Sequence, residues 1–321
     1  MSDAPIAILD VGSNSIRLLL WSGSDDFGPK GERITTVTGL RRGAGADGTI
    51  ASDALNRLDV CVESYAARMR AAGVSRGVAL GTSAVRDAPN RDAVAEIIGA
   101  RLGLALTVIS GTVEARLSYA GARLTVHDDG PVIVLDVGGG STEVVRGHGS
   151  SPTGAVSLQM GAVRSTEDYL FSDPPTQDQL DNLREDAEVA SATAITTCGG
   201  AAPIVAVSGT ASTLAAIDIG RYDPKRVHGH VLTRAAVEEM LSWMSGLSVA
   251  DRAGIPGLEP ARAPVIVAGA MIVAAAMSAA GVDDLRVSER DLLDGAASFS
   301  PTLVGSVGID GPCVTPLNEL V

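Results

Sequence analysis

The chain has 321 residues with a formal net charge of −13, and hydrophobic residues make up 45% of it. A chain of this length is too long for a single ordinary hydrophobic core, so we expect two domains. The composition excludes an intrinsically disordered protein. The acidic surplus argues against a broad nucleic-acid surface, which needs a basic stripe, although a local basic pocket could still bind a small anion.

The numbers and positions of the cysteines and lysines limit which metal, disulfide and phosphate sites the chain could form. The chain has three cysteines, Cys61, Cys198 and Cys313, which are far apart in sequence. An odd number at this spacing suits neither a zinc site nor a disulfide framework, so we expect a reducing compartment. The start of the chain lacks the basic region of a signal peptide, so we expect a cytoplasmic protein. Since Lys30 and Lys225 are the lysines and a GxxxxGK[ST] motif is absent, phosphate binding would depend on arginine, backbone N–H groups and metal.

The first part of the chain alternates strand-like and helix-like stretches, which is typical of an α/β fold. Two apolar runs separated by Val-Gly-Ser-Asn-Ser predict a hairpin. Apolar residues at spacings of three and four, from Leu55 to Met69, predict an amphipathic helix with Ser52 as its N-cap. The predicted elements in order are strands 6–10 and 16–21, a helix from 52, strand 77–80, helix 91–102, strand 104–109 and helix 112–124.

The pattern restarts after Asp128-Asp129-Gly130-Pro131, which predicts a turn and a domain boundary. We therefore expect domains at 1–126 and 127–299, followed by a loosely held tail at 300–321. The predicted elements of the second half are strands 132–136, 142–146 and 155–158, helix 177–193, strand 204–207, helix 211–217, helix 265–280 and strand 285–287.

An uncharged stretch at 263–282 is long enough to be considered as a membrane span. It is mostly Ala, Val and Gly, has a proline near its start and lacks an aromatic belt. These features favour a buried helix in the core of the second domain, and we expect no membrane association.

An internal repeat links the two halves. Ile8-Leu9-Asp10-Val11-Gly12 and Val134-Leu135-Asp136-Val137-Gly138 share one pattern at an offset of 126 residues (136 − 10). In both, an apolar strand ends in Asp, turns on Gly and Ser, and continues as a second strand. The repeat predicts two related domains, each contributing a phosphate-binding turn to a cleft between them.

A glycine turn next to an aspartate is suited to binding phosphate together with a metal ion. Glycine lets the backbone approach a phosphate closely and point consecutive N–H groups at it, and the adjacent carboxylate can hold a hydrated Mg2+. The turn after Asp10 is weak evidence by itself, because Asp-x-Gly-Ser is common. The three glycines that follow Val137 are more specific, since they weaken a sheet unless the backbone must approach something.

The pairing of the two turns resembles the actin-like ATPase superfamily, and Ser208 to Thr213 fits its third element, a Gly-rich turn before a helix. The fuller set of motifs is similar to the exopolyphosphatase and guanosine pentaphosphate phosphohydrolase family, over roughly residues 6 to 297. The motifs are Gly12-Ser13-Asn14-Ser15, Thr82-Ser83-Ala84-Val85-Arg86, Ser110-Gly111 with Glu114-Ala115-Arg116, the segment from Asp136 to Glu143, 158–166, 209–214 and 289–295. The resemblance implies α/β architecture with two ribonuclease H-like domains.

The resemblance also implies roles for particular residues. Glu114 matches the family's catalytic glutamate, which orients or deprotonates the attacking water, although its position alone fits an ordinary helix-start glutamate. Arg86 would stabilise charge on the transferred phosphate. The remaining expectations are Asp136 and Glu143 as catalytic groups, Asp10, Asp136 and Glu143 as ligands of Mg2+ or Mn2+, and Gly12, Ser13, Asn14, Ser15, Gly138, Gly139, Gly140, Ser141, Gly209, Thr210 and Arg262 as phosphate-binding residues.

Several functions stay open at this level. The first expectation is an exopolyphosphatase that releases terminal orthophosphate from inorganic polyphosphate, with short chains preferred because the helical domains of longer family members are lacking. Hydrolysis of guanosine pentaphosphate would use the same residues. A sugar or acid kinase and a non-enzymatic nucleotide-binding protein share the fold but fit the context of Glu114 less well. The family likeness further suggests a homodimer, and we expect no nucleic-acid partner.

Overall fold

The structure is a computed structural model that describes residues 5–25, 28–124, 130–299 and 305–306. The chain forms two compact units. One combines the chain up to Leu117 with the segment from Leu292 onward, and the other contains Ser118–Asp291. The predicted turn at Asp128-Asp129 and most of the predicted tail lie outside the described residues.

The first unit is built on a mixed sheet. Its strands are β1 (Ile6–Val11), β2 (Ser15–Asp25), β3 (Gly28–Val37), β4 (Arg76–Gly81), β5 (Leu106–Val108) and β12 (Gly305–Ser306). The central order is β3-β2-β1-β4-β5, in which β1, β4 and β5 are parallel and β2 and β3 are antiparallel to their neighbours. The short β12 pairs with the beginning of β4.

Helices cover both faces of this sheet because β1 is apolar on both sides. Ala7, Leu9 and Val11 pack in one core, whereas Ile6 and Ile8 pack in another, as strand alternation requires. The helices are α1 (Ser52–Ala71), α2 (Ser83–Asp87), α3 (Arg91–Leu102), α4 (Gly111–Arg123) and α12 (Leu292–Ser298), and α4 continues from the first unit into the second.

The second unit repeats this sheet. Its strands are β6 (Pro131–Val137), β7 (Thr142–His148), β8 (Ser151–Leu158), β9 (Ile204–Val207), β10 (Val231–Thr233) and β11 (Asp284–Val287). The order is β8-β7-β6-β9-β11-β10, with β6, β9 and β11 parallel and the other strands antiparallel. The first five strands therefore follow the first unit's order, and the expectation of two related domains is confirmed.

One apolar helix organises the core of the second unit. The helices are α5 (Ala162–Tyr169), α6 (Gln177–Thr197), α7 (Ser208–Ile219), α8 (Pro224–Val227), α9 (Arg234–Ser245), α10 (Val249–Arg252), a 3-10 turn (Pro260–Arg262) and α11 (Ile266–Ala280). Thirteen residues of α11 are buried, so the prediction of a buried helix at 265–280 is correct. In the described part of the chain, no helix combines the length and apolar character needed to cross a bilayer.

Local details of the sequence analysis need correction. Ser52 is the first residue of α1 and not its N-cap; Ala51 holds that position, without a side-chain cap. Helix α7 begins at Ser208, so the predicted glycine turn at 209 is already its first helical turn. The predictions omitted two longer elements, β3 and α9, and several short ones, including α2, α5 and α12. The buried residues of α9 (Val237, Met240, Leu241 and Met244) follow a helical spacing, so periodicity could have found this helix.

The compact units also differ from the boundary expected near residue 126. Helix α12 belongs to the first unit because Leu292, Leu293, Ala296 and Ala297 pack with Ile6 and Ile8 of β1. In addition, Arg33 of β3 donates a hydrogen bond to the fully buried Asp294 at 2.5 Å. The chain therefore comes back to the first unit at its C-terminal end. This depends on contacts between residues far apart in sequence, which hydrophobic periodicity does not reveal.

Replacing Gly295 in α12 with alanine should destabilise the protein. A Cβ at Gly295 would lie 1.9 Å from the carbonyl oxygen of Leu117 on α4, a backbone atom that cannot move without shifting a helix. Overpacking of this kind costs about 1–3 kcal/mol. Urea denaturation monitored by circular dichroism measures the loss.

Gly99→Ala is the matched control, because Gly99 also lies inside a helix. A Cβ at Gly99 would meet nothing closer than 4.0 Å, so alanine there should stabilise the protein by about 0.5–1 kcal/mol. Equal stability of the two variants would contradict the close packing of α12 on α4.

Candidate active site

In the first unit, a glycine turn joins β1 to β2. The Gly12 N–H donates to the Ser15 carbonyl at 3.1 Å, and Asp10 is the register partner of Arg17. Arg17 holds Oδ2 of Asp10 through Nε at 2.8 Å and Nη2 at 2.6 Å. Any side chain at Gly12 would place a Cβ 2.8 Å from the Ser15 carbonyl oxygen, so this turn requires glycine.

A loop after β3 braces this turn. Thr38 and Gly39 donate their backbone N–H groups to the Asn14 carbonyl at 3.0 and 2.8 Å, and Arg41 donates to the Ser13 carbonyl at 2.9 Å. With these carbonyls held by the loop, the turn is fixed from behind. The buried Asn14 side chain has an Oδ1 atom with no hydrogen-bond partner among the residues that the structure describes.

Ser13 also fixes the helix that carries Arg86. Its Oγ accepts a hydrogen bond from the backbone N–H of Ala84 at 3.1 Å, at the beginning of α2. The hydroxyl proton of Ser13 can still be donated to a phosphate oxygen. Ser13 therefore has a structural role, and its predicted phosphate-binding role is compatible with this geometry.

Arg86 and Glu114, both predicted as catalytic residues, form an ion pair in the first unit. Nη1 of Arg86 donates to Oε2 of Glu114 at 3.0 Å and to the Ile109 carbonyl at 2.9 Å. Nη2 of Arg86 is buried and has no protein acceptor within the described ranges. Glu114 lies in the first turn of α4, near the positive end of the helix dipole.

The second unit carries an equivalent turn between β6 and β7. The Gly138 N–H donates to the Ser141 carbonyl at 3.0 Å, which reproduces the bond between Gly12 and Ser15. Asp136 is the register partner of Glu143, as Asp10 is of Arg17. The repeat thus extends to register and hydrogen bonding, with glutamate in one unit where the other has arginine.

The carbonyl groups of the three glycines in this second turn point towards α5. The Gly138 carbonyl accepts from the N–H of Ala162 at 2.9 Å, and the Gly139 carbonyl accepts from Val163 at 2.8 Å. Nε of Arg164 donates to the Gly140 carbonyl at 2.8 Å. In a trans peptide the following N–H points the opposite way, so the N–H groups that follow these carbonyls are directed away from α5. Consecutive N–H groups on one side form an anion-binding surface.

The acidic pair beside this turn is buried. Asp136 is 6% exposed and Glu143 is 1% exposed. Oδ2 of Asp136 accepts from Oγ of Ser118 at 2.7 Å, and Oε1 of Glu143 accepts from Oγ of Ser157 at the same distance. Sequence reasoning missed both serines and also Arg164, although Ser157 and Arg164 lie in or beside the recognised 158–166 motif.

The third predicted element serves the fold as well as a ligand. The hydroxyl groups of Ser208 and Thr210 donate to the Val137 carbonyl at 3.2 and 2.8 Å, so Thr210 would offer a phosphate only its backbone N–H. The guanidinium of Arg262 lies over Gly209, with Nη1 only 2.2 Å from where a Cβ would be. Glycine at this position therefore makes space for Arg262, and the structure brings these two predicted residues together.

The donors that could hold a divalent metal are few. Among the described residues, no group of three or more His, Cys, Asp and Glu side chains is arranged to bind a metal ion. Asp136 and Glu143 supply two carboxylates, and Mg2+ in phosphate-processing sites is commonly held by one or two carboxylates together with substrate phosphates. The acidic pair fits such an ion, and Asp10 differs from it in forming an ion pair with Arg17 through Oδ2.

Comparison with known proteins identifies the group to which these features belong. Residues 32–297 match the model of the Ppx/GppA phosphatase family, and the chain belongs to that family. It has the two-domain actin-like ATPase fold of solved family members. A crystal structure of the Aquifex aeolicus family member is 29% identical, with a TM-score of 0.77 over 92% of this chain and 97% of that one.

Two curated relatives differ in how much of their length is matched. Exopolyphosphatase 2 of Mycobacterium tuberculosis is 35% identical over 313 residues, covering 91% of this chain and 97% of the relative. The guanosine-5'-triphosphate,3'-diphosphate pyrophosphatase of Aliivibrio fischeri is 28% identical over 291 residues, covering 90% of this chain but 58% of that protein.

Gly161→Ala should disrupt the second turn. A Cβ at Gly161 would lie 2.7 Å from the backbone nitrogen of Ser141 and the carbonyl carbon of Gly139, forcing α5 away from the carbonyls it holds. Phosphate release from polyphosphate should fall at least tenfold, because misplacement by about 1 Å can cost about 10²-fold in rate. The control is Gly246→Ala, whose Cβ would make an ordinary 3.6 Å contact. Equal activity of the two variants would contradict the role of α5.

Proposed function

We propose that this chain is an exopolyphosphatase, which releases terminal orthophosphate from inorganic polyphosphate by attack of water. The observation that carries the proposal is the turn at Gly138–Ser141, whose three glycine carbonyls are held by α5 beside two buried carboxylates. Such a turn offers N–H groups to phosphate oxygens. The match to Exopolyphosphatase 2, over 91% of this chain and 97% of that relative, supports polyphosphate as the substrate.

Arg86 and Glu114 are proposed to act on the reacting phosphate. Glu114 accepts a proton from the attacking water, whose oxygen forms a bond to the terminal phosphorus. The bridging P–O bond then breaks, and the shortened chain leaves with the electron pair. Nη1 of Arg86 orients Glu114, while Nη2 is the donor available for a phosphate oxygen on which charge develops.

Asp136 and Glu143 are proposed to hold Mg2+ or Mn2+. When bound, the ion would neutralise phosphate charge and act as a Lewis acid. The chain's own contribution is the buried, register-paired acidic pair, whose mutual repulsion favours a cation. The ion pair with Arg17 makes Asp10 a weaker candidate for this role than the sequence alone indicated.

Guanosine pentaphosphate is the second candidate substrate. The relative from Aliivibrio fischeri, named for that chemistry, supports it, and the same side chains would perform the reaction. This chain covers 97% of Exopolyphosphatase 2 but only 58% of the guanosine relative. The higher identity to Exopolyphosphatase 2, 35% against 28%, supports polyphosphate as the first candidate.

Glu114→Gln tests the proposed reaction. The amide cannot accept a proton from water, so phosphate release should fall by about 10²–10⁴-fold with Mg2+ present. The assay compares short polyphosphate, long polyphosphate and guanosine pentaphosphate, and the preferred substrate decides between the two candidates.

Glu96→Gln is the control for this change, because Glu96 is an exposed glutamate on α3 and should retain wild-type activity. Unchanged release by the Glu114 variant would contradict the role of Glu114. No release by the wild type from any of the three substrates would reject the hydrolase proposal as a whole.

Metal removal should abolish the activity. Without a cation, the acidic pair and the phosphate chain repel one another, so phosphate release in EDTA should fall to background and return when Mg2+ or Mn2+ is added in excess. A malachite-green phosphate assay measures this directly. Full activity in EDTA would contradict a metal-dependent site.

We also propose a cytoplasmic homodimer, on the basis of the family likeness. The buried free thiols of Cys61 and Cys198 are compatible with a reducing compartment. Light scattering coupled to size-exclusion chromatography measures the oligomeric state, and a monomeric mass would reject the dimer.

A further inference from the structure

A row of polar side chains crosses the sheet of the second unit near the end of β6. Asp136 on β6 is the register partner of Glu143 on β7, and Glu143 is the register partner of Ser157 on β8. Register partners on neighbouring strands place their side chains on the same face, with Cβ atoms about 4.5–5.5 Å apart. Ser157, Glu143 and Asp136 therefore lie side by side.

Serine hydroxyls close both ends of this row. Ser157 donates to Oε1 of Glu143 at 2.7 Å. At the other end Ser118, on α4, donates to Oδ2 of Asp136 at 2.7 Å. Each carboxylate of the pair thus accepts a hydrogen bond from a neutral donor on a different element of secondary structure.

The chemistry of these hydrogen bonds favours a role in orienting the acids. A hydroxyl that donates to an ionised carboxylate makes a bond roughly twice as strong as a neutral one, and it restricts rotation of the carboxylate. Groups that orient metal-ligating side chains in this way commonly contribute about 10–100-fold in metal affinity.

The burial of Ser118 also supports a role for its hydroxyl group in orienting Asp136. Ser118 is 0% exposed, between the apolar Leu117 and Tyr119, which are also fully buried. A buried hydroxyl is costly unless it is hydrogen-bonded. In the described part of the chain, the acceptor for Ser118 is Asp136. An alanine would fill the same space without polarity, so the hydroxyl serves the carboxylate rather than the packing.

We propose that Ser118 and Ser157 are positioning residues that orient Asp136 and Glu143 for a divalent metal ion. This inference rests on the proposed function, because it requires the acidic pair to be the metal site. It adds two residues that act through the carboxylates and do not touch the substrate. It also implies that the acidic pair has its metal-binding geometry before the substrate arrives.

Direct Mn2+ binding to the full-length protein, followed by electron paramagnetic resonance, is the first readout. Ser118→Ala and Ser157→Ala should each weaken Mn2+ binding at least tenfold. The control is Ser191→Ala, which removes another buried serine hydroxyl, on α6, and should leave Mn2+ binding unchanged. Ser157→Thr retains a hydroxyl on a strand that tolerates β-branching, and it should restore most of the affinity.

Phosphate release is the second readout, and it separates positioning from general damage. The Mg2+ concentration for half-maximal activity should rise in both alanine variants, with kcat at saturating Mg2+ close to that of the wild type. Equal loss of kcat at every Mg2+ concentration, with unchanged Mn2+ affinity, would overturn the positioning role. Absence of Mn2+ binding by the wild type would overturn it as well, since the pair would then not be preformed.

Asp136→Asn distinguishes failure of this inference from failure of the proposed function. If Asp136→Asn retains wild-type Mn2+ binding and phosphate release, the proposed metal site itself is rejected. If Asp136→Asn loses both while the two serine variants bind Mn2+ like the wild type, the metal site stands and the positioning role is rejected.

Discussion

The glycine turn of each unit is closed by the same hydrogen bond, from the first glycine after the opening strand to the carbonyl of a serine three residues later. It joins Gly12 to Ser15 in the first unit and Gly138 to Ser141 in the second. This bond closes a hairpin in which the aspartate one residue before the end of the first strand is the register partner of a residue on the next strand. The bond constrains the backbone of the turn.

The two copies of this hairpin have acquired different chemistry at equivalent positions. In the first unit Asp10 is paired with Arg17, which neutralises it. In the second, Asp136 has Glu143 as its partner, and the two carboxylates share a buried environment. One scaffold therefore supplies an ion pair and the other an acidic pair suited to a cation. The difference arises at one position, seven residues after each aspartate, which is Arg17 in the first unit and Glu143 in the second.

The elements around each turn hold it in place by accepting or supplying backbone hydrogen bonds. The loop at Thr38 to Arg41 holds the first turn, and the beginning of α5 holds the second. The support of the first turn uses backbone groups, whereas that of the second adds the side chain of Arg164.

The sequence by itself determined most of the strands, the main helices, the internal repeat and the family, because these depend on local periodicity and on motifs a few residues long. It also pointed to Glu114, Arg86, Asp136 and Glu143 as chemical groups. Only the tertiary structure decided that Arg86 contacts Glu114, that Arg17 neutralises Asp10, and that Arg262 lies over Gly209. The tertiary structure alone showed that α12 packs in the first unit and that Ser118 donates a hydrogen bond to Asp136. These contacts join residues distant in the chain, and their existence depends on how helices and strands pack, which no local pattern encodes.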